Sequence, residues 1–159
     1  RVAGTPCTVI SPDAGGVERA RAFAKRLDGA LAVIDKRRSG PGEVAEMNII
    51  GEVGSRIAIL VDDMVDTAGT LSRAASAVRD AGAVAVSAVC SHGVLSGPAV
   101  ERITESALEH LVVSDTVPLR GDALDCDKIR VVSVAGLIAE AVRRIHTGDS
   151  VSCLFPPEQ

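Results

Sequence analysis

A chain of 159 residues suits one domain that buries its own core without disulfides or a structural metal. Its 47% apolar and 24% charged residues exclude the disordered class, and only Phe23 and Phe155 are aromatic, so the stacking platforms of single-strand nucleic-acid binders are absent. A net charge of −4 argues against a general nucleic-acid or anionic-membrane surface, while local basic clusters can still take small anions.

Along the chain, short apolar runs alternate with segments of helical period. Cys7 to Ile10 reads as a buried strand, and Val17 to Leu27 then aligns Ala20, Phe23, Ala24 and Leu27 on one helical stripe. Leu31 to Ile34 is a second strand, followed by a Gly- and Pro-containing loop from Ser39 to Gly42. Met47 to Val53 reads as a short strand and Arg56 to Val61 as the clearest buried one. Leu71, Ala74, Ala75 and Val78 then repeat at i, i+3, i+4 and i+7, with Gly82 as a stop. Val84 to Val89 is the next strand, Ser96-Gly-Pro98 opens a helix, and Leu111 to Val113 and Lys128 to Val132 are further strands. The last helix, about Leu137 to Ile145, is expected to bury Leu137, Ile138, Ala141, Val142 and Ile145, with Arg143, Arg144 and His146 at its C-terminal end.

Strand and helix alternating at this spacing predict an α/β fold: a mostly parallel, twisted sheet flanked by helices on both faces. Ligands in such folds sit beyond the carboxyl ends of the strands. The residues expected there are Ser11-Pro-Asp13-Ala-Gly15-Gly16, Asp35-Lys36-Arg37-Arg38 and Asp62-Asp63-Met-Val-Asp66-Thr67-Ala68-Gly69-Thr70. In the last of these, paired carboxylates lead through a tight turn into a helix. The N–H groups of that helix start and the hydroxyls of Thr67 and Thr70 suit a monophosphate, and Gly69 lets the backbone approach it. Asp62 and Asp63 suit vicinal sugar hydroxyls or a magnesium hydration shell.

Taken singly, each feature also has a plain structural reading. An Asp-Asp pair before Thr-x-Gly-Thr is turn and cap chemistry, Asp13 is a helix-entry residue, Lys36 to Arg38 is a solvated charge run, and His92 has no partner at ligand spacing. Gly40-Pro-Gly42-Glu-Val-Ala45 fits the loose dinucleotide pattern but makes a poor strand-to-helix turn, and no Walker A sequence occurs. Cys7, Cys90, Cys126 and Cys153 form no C-x-x-C pair, so a zinc site or dithiol is not expected and a reducing, cytoplasmic setting is. No run approaches the roughly 18 apolar residues of a membrane span, so no membrane partner is expected. Arg1-Val-Ala-Gly-Thr-Pro is not a signal sequence, and the missing initiator Met suggests part of a longer chain.

The string from Val61 to Thr70 resembles the phosphoribosyl-diphosphate (PRPP) binding motif of the type I phosphoribosyltransferase fold. With Ser11-Pro-Asp13-x-Gly15-Gly16-x-x-Arg19-Ala20, Asp35 to Arg38, Met47-Asn48-Ile-Ile-Gly51, Ser91-His92-Gly-x-x-Ser96-Gly97-Pro98-Ala99, Leu137-x-Ala139-Glu140-Ala141 and Ser150-Val-Ser152-x-Leu154-Phe155, the chain resembles the C-terminal half of the ribose-phosphate diphosphokinases, the PRPP synthetases. The resemblance spans nearly the full chain. It implies transfer of the diphosphoryl group of ATP to ribose 5-phosphate, giving PRPP and AMP. By position it implies a ribose-5-phosphate loop of Asp62, Asp63, Asp66, Thr67, Ala68, Gly69 and Thr70, a Mg²⁺ ligand in Asp13, and charge-stabilising Lys36 and Arg38 at the base of a mobile catalytic loop.

The resemblance further implies a single domain over 1–159, a missing N-terminal domain carrying most of the adenine site, and a homo-oligomer built from dimers, with a hexamer among the sizes. It also implies regulation by phosphate or ADP near Ser150 to Ser152. Other functions of the same fold are a phosphoribosyltransferase using PRPP and a non-catalytic regulator. This chain departs from the family in Ser39, Gly40 and Gly42 after the basic triplet and in Cys153, and the segment Thr116 to Asp127 is expected to be a surface connection.

Overall fold

The computed structural model describes residues 5–37 and 46–155. Among them seven strands form one sheet: β1 (Cys7–Ser11), β2 (Ala30–Arg37), β3 (Glu46–Ile50), β4 (Ile57–Val65), β5 (Ala85–Gly93), β6 (His110–Ser114) and β7 (Ile129–Val132). Four helices accompany it: α1 (Val17–Leu27), α2 (Gly69–Asp80), α3 (Ala99–Glu105) and α4 (Ala135–Thr147). The sheet order is β3-β2-β1-β4-β5-β6-β7, and every pairing is parallel except β2 with β3. This is the mostly parallel sheet with helices on both faces that the alternation predicts.

Chain order and handedness decide which face each helix covers. The step from β1 to β2 runs one way along the sheet, and the steps β4 to β5 to β6 run the other way, so right-handed crossovers put α1 on one face and α2 and α3 on the opposite one. Packing follows that division. Ile10, Leu60, Val86, Ala88 and Leu111 are buried with Leu71, Ala74, Val78 and Ile103 in one cluster, while Val9 and Val61 pack with Ala20 and Ala24 in another. Alanine recurs under the helices because helix and sheet approach closely there, which is the structural counterpart of a composition almost without aromatics.

Three expectations need correction. β2 continues through Asp35, Lys36 and Arg37, where antiparallel β3 supplies hydrogen-bond partners out to Glu46, so the basic run begins within a strand. β4 likewise runs to Val65, because β5 pairs with it as far as Gly93, so Asp62 and Asp63 lie in the strand and not after it. The largest correction concerns α4. It forms over the expected residues but buries none of them: Leu137, Ile138, Val142 and Ile145 are 52%, 57%, 61% and 71% exposed. α4 comes after the last strand and bridges no two strands, so no crossover obliges it to cover either face of the sheet. No helix among the described residues is long and apolar enough to cross a membrane.

Candidate functional site

β1, β2 and β4 are parallel, so their carboxyl ends share one edge of the sheet. Asp62 and Asp63 reach that edge from β4 on successive residues, and the strand's pleat makes their environments unequal. Asp62 is half-buried and Asp63 exposed. The Asp63 N–H donates to Asp62 Oδ1 at 2.9 Å. Arg19, one turn into α1, forks across the pair, with Nη1 3.4 Å from Asp62 Oδ1 and Nη2 3.1 Å from Asp63 Oδ2.

Desolvation raises the Asp62 carboxyl above its ordinary range, and the nearby charges of Asp63 and Asp13 add to this against the opposing backbone N–H. For Asp63 slight desolvation also pushes upward, but the hydrogen bond with Asp62 and the Arg19 charge outweigh it and hold the carboxyl low. One carboxylate of the pair is thus kept charged and outward-facing, as a hydroxyl acceptor requires. Cys90, paired with Asp62 across the strands, is pushed up to about 12 by burial and by the Asp62 charge, and behaves as a small apolar side chain.

The loop from β4 into α2 turns on Ala68, a non-glycine residue in the left-handed region at φ 56°, ψ 5°. A left-handed residue followed by helical ones turns successive N–H groups toward a common point, the geometry of an anion-binding nest. No side chain caps this end of α2 and no acidic residue occupies its first turn, so the leading N–H groups and the positive end of the dipole remain available. The Ala68 carbonyl accepts the first helical bond from the Ser72 N–H at 2.9 Å. A Cβ on Gly69 would stand 3.2 Å from the Arg102 guanidinium, tighter than ordinary contact. Thr67, Gly69, Thr70, Ser72, Arg73 and Arg102 line a cleft of about 450 Å³ beside the loop, without a carboxylate. A second cavity of about 240 Å³ opens beside Arg19 and Asp62, floored by Val61, Val89, Val112 and Val132.

Asp13 lies at the same edge, close enough for its charge to act on Asp62. One of its oxygens accepts the Gly16 N–H at 3.0 Å, which is the helix-entry role, and its exposed side chain leaves the other oxygen open. Gly16 has no room for a side chain, since a Cβ there would lie 2.7 Å from Ser11 Oγ. Lys36 stands in β2 opposite Met47, at the same end of the sheet. Arg38, like the loop from Ser39 to Gly42, lies outside the described residues.

The structure thus gathers Asp13, Asp62 and Asp63 and the loop Asp66 to Thr70 at one edge, with Lys36 on a neighbouring strand of it. His92 has a structural setting: its Nδ1 is 2.8 Å from Thr116 Oγ1, in a hydroxyl network with Ser114. In the segment Thr116 to Asp127, Ala123 is buried in the main core, so that connection is partly a core element. Ser150 is held by its carbonyl, which accepts from Arg144 Nη1 at 2.9 Å.

Two further residues, Arg19 and Arg102, border the candidate site. Arg19 stands within a motif, three positions after Gly16 and so on the first turn of a helix that starts at the carboxyl edge of the sheet. Arg102 had no local signal, because it meets the loop from 35 positions away.

Known proteins share the family and the fold of this chain. The sequence profile described as the phosphoribosyl synthetase-associated domain matches residues 37–156. A ribose-phosphate pyrophosphokinase from Bordetella pertussis is 57% identical over 147 residues, covering 92% of this chain and 47% of the relative. One from Coxiella burnetii is 53% identical over 148 residues, covering 92% and 46%. The crystal structure of phosphoribosylpyrophosphate synthetase from Mycobacterium smegmatis superposes with a TM-score of 0.82 at 35% identity, over 91% of this chain and 46% of that one. The chain therefore spans about half the length of the curated relatives it matches.

Proposed function

The chain belongs to the phosphoribosyl synthetase-associated domain family, and from this premise we propose that it is the ribose-5-phosphate half of a ribose-phosphate diphosphokinase. The reaction is attack of the C1 hydroxyl of ribose 5-phosphate on the β-phosphorus of ATP. A new O–Pβ bond forms, the bond from Pβ to the α-bridging oxygen breaks, and AMP leaves as PRPP forms for nucleotide biosynthesis. The observation that carries the reading is the continuity of a carboxylate pair, with Asp63 held charged and outward beside half-buried Asp62, and an uncapped, left-handed loop into α2, an arrangement that suits a sugar hydroxyl pair and its 5-phosphate.

In this reading the N–H groups from Ala68 to Thr70, with the Thr67 and Thr70 hydroxyls, hold the phosphate, and Asp66 supports the loop. Asp62 and Asp63 accept the ribose hydroxyls and set the face from which C1 reacts. Lys36 and Arg38 stabilise charge on the transferring group, since such transfers need positioning and electrostatics more than covalent chemistry. Asp13 would hold Mg²⁺, which when bound neutralises diphosphoryl charge. Asp13 fits that role: it is exposed, and while one of its oxygens accepts the Gly16 N–H the other is left for an ion that takes oxygen ligands.

The remainder of the enzyme would supply the adenine site, so the chain alone binds ribose 5-phosphate but does not turn over. ATP, a dimer-based homo-oligomer, phosphate or ADP regulation near Ser150 to Ser152, and a cytoplasmic location with four free thiols complete the proposal. Calorimetric titration of ribose 5-phosphate into the 159-residue chain should show binding that Asp63→Ala abolishes. AMP formation by the chain alone at an enzyme-like rate would refute the half-enzyme reading, and pyrophosphate release from PRPP with a nucleobase would mark a phosphoribosyltransferase.

A further inference from the structure

The loop between β4 and α2 is gripped from both sides. From the β5 side, the Val94 and Leu95 N–H groups both donate to the Val65 carbonyl, at 3.0 and 3.1 Å, and Ser96 donates to Asp66 through its N–H at 3.1 Å and through its hydroxyl. From the other side, α3 contributes Arg102. Its Nη1 donates to the Thr67 carbonyl at 2.9 Å, and its own carbonyl accepts the Ser72 hydroxyl at 3.2 Å. No carboxylate among the described residues forms an ion pair with Arg102.

We infer that Arg102 is a positioning residue for the phosphate loop, holding the Thr67 carbonyl so that the Ala68 N–H faces the anion, and that its remaining N–H groups face the same cleft. This rests on the reading of that loop as the ribose-5-phosphate site. The Thr67 carbonyl and the Ala68 N–H belong to one rigid trans peptide and point in opposite directions. Drawing the oxygen toward α3 therefore aims the N–H away from it, into the mouth of the loop.

A hold of this kind is needed because Ala68 sits in the left-handed region, where a non-glycine residue stays only if its surroundings over-determine it. Rotation of the Thr67–Ala68 peptide would relieve the conformation and turn the donor away. Arg suits the task better than Lys: its planar fork can fix the carbonyl with one nitrogen and keep the others free, whereas an ammonium is a point charge on a flexible stem. A side chain at Gly69 would meet the same guanidinium at 3.2 Å, so Arg102 would have to give way by a few tenths of an ångström and its hold on the Thr67 carbonyl would shift with it.

The test uses the 159-residue chain, its Arg102→Ala and Arg102→Lys variants, and ribose 5-phosphate as the probe, with affinity by calorimetry and amide resonances by NMR. Arg102 is exposed, so both variants should fold with a Tm close to that of the parent. Arg102→Ala should weaken ribose 5-phosphate binding about tenfold, the scale of one charge-assisted hydrogen bond. At saturation it should also lose most of the ligand-induced shift of the Ala68 amide while the Asp63 shift remains.

Arg102→Lys should recover affinity only in part. Full recovery by Lys would reduce the role to charge alone, and shifts that shrink uniformly with a falling Tm would reduce it to general structure. Either result, or unchanged affinity in Arg102→Ala, overturns the inference and leaves the reading of the site intact. Absence of binding by the parent chain overturns both.

Discussion

α2 and α4 are near-equal in length and both amphipathic, yet one is core and the other is not. α2 buries Leu71, Ala74, Ala75 and Val78 against β4 and β5, and its start carries the left-handed loop at Ala68. α4 buries nothing, and Leu137, Ile138, Val142 and Ile145 face outward. The difference comes from topology. α2 joins two strands of the same sheet and is forced onto one face by the handedness of the crossover, whereas α4 follows the last strand and is bound to no face. An apolar stripe therefore shows that a face is suited to burial, and connectivity decides whether the helix's own sheet covers it. The site is built on the element with no such freedom, which suits a loop that must hold N–H groups to within a fraction of an ångström.

The sharpest way to break this comparison is truncation of one buried and one exposed residue. Leu71→Ala should cost about 3 kcal/mol by urea unfolding, while Ile138→Ala in the same chain should stay within about 0.5 kcal/mol. Comparable losses would mean that α4 is covered in solution. Next in size, Ala68→Gly removes the left-handed penalty at the loop and should stabilise the chain by about 0.5–1 kcal/mol, with looser ribose 5-phosphate binding as the cost of a less constrained peptide.

Asp62→Asn should raise Tm at neutral pH while ribose 5-phosphate affinity falls. Burial raises the Asp62 carboxyl, so the folded state holds its proton more tightly than the unfolded chain does. Stability is then lost as pH climbs from the ordinary carboxylate range through the raised value, and the amide removes that loss. The smallest effect lies on α4. The hydrogen bonds from Arg143, then Arg144, lower the Glu140 carboxyl to about 2, so their contribution is present above the ordinary glutamate range and fades as pH falls toward 2. Carbon NMR should follow that titration, and Arg143→Ala should move its midpoint upward, with little change in global stability because Arg143 is exposed and Glu140 no more than partly covered.

Much of the fold and site can be read from the chain because the relevant signals are local. Buried strands announce themselves as apolar runs, α2 by its period, and the loop by the succession Asp-Asp, Thr, Gly, Thr. The departures arise where a partner strand or a distant residue intervenes. Charged residues at Asp35, Lys36, Asp62 and Asp63 look like loop, yet pairing with β3 and β5 carries the strands through them, since an edge residue can extend a ladder while its side chain stays near water.

Arg19 across the carboxylates and Arg102 beneath the loop are likewise set by how α1 and α3 pack, 43 and 35 positions away from the groups they touch. By itself the sequence determined the class of fold, the order of its elements and the chemistry gathered at the end of β4, because periodicity and residue type act over a few positions. Only the tertiary structure decided which carboxylate is held charged, which guanidinium meets the Thr67 carbonyl, and that the last amphipathic helix leaves its apolar face uncovered, because these depend on burial, on long-range contacts and on the handedness of the crossovers.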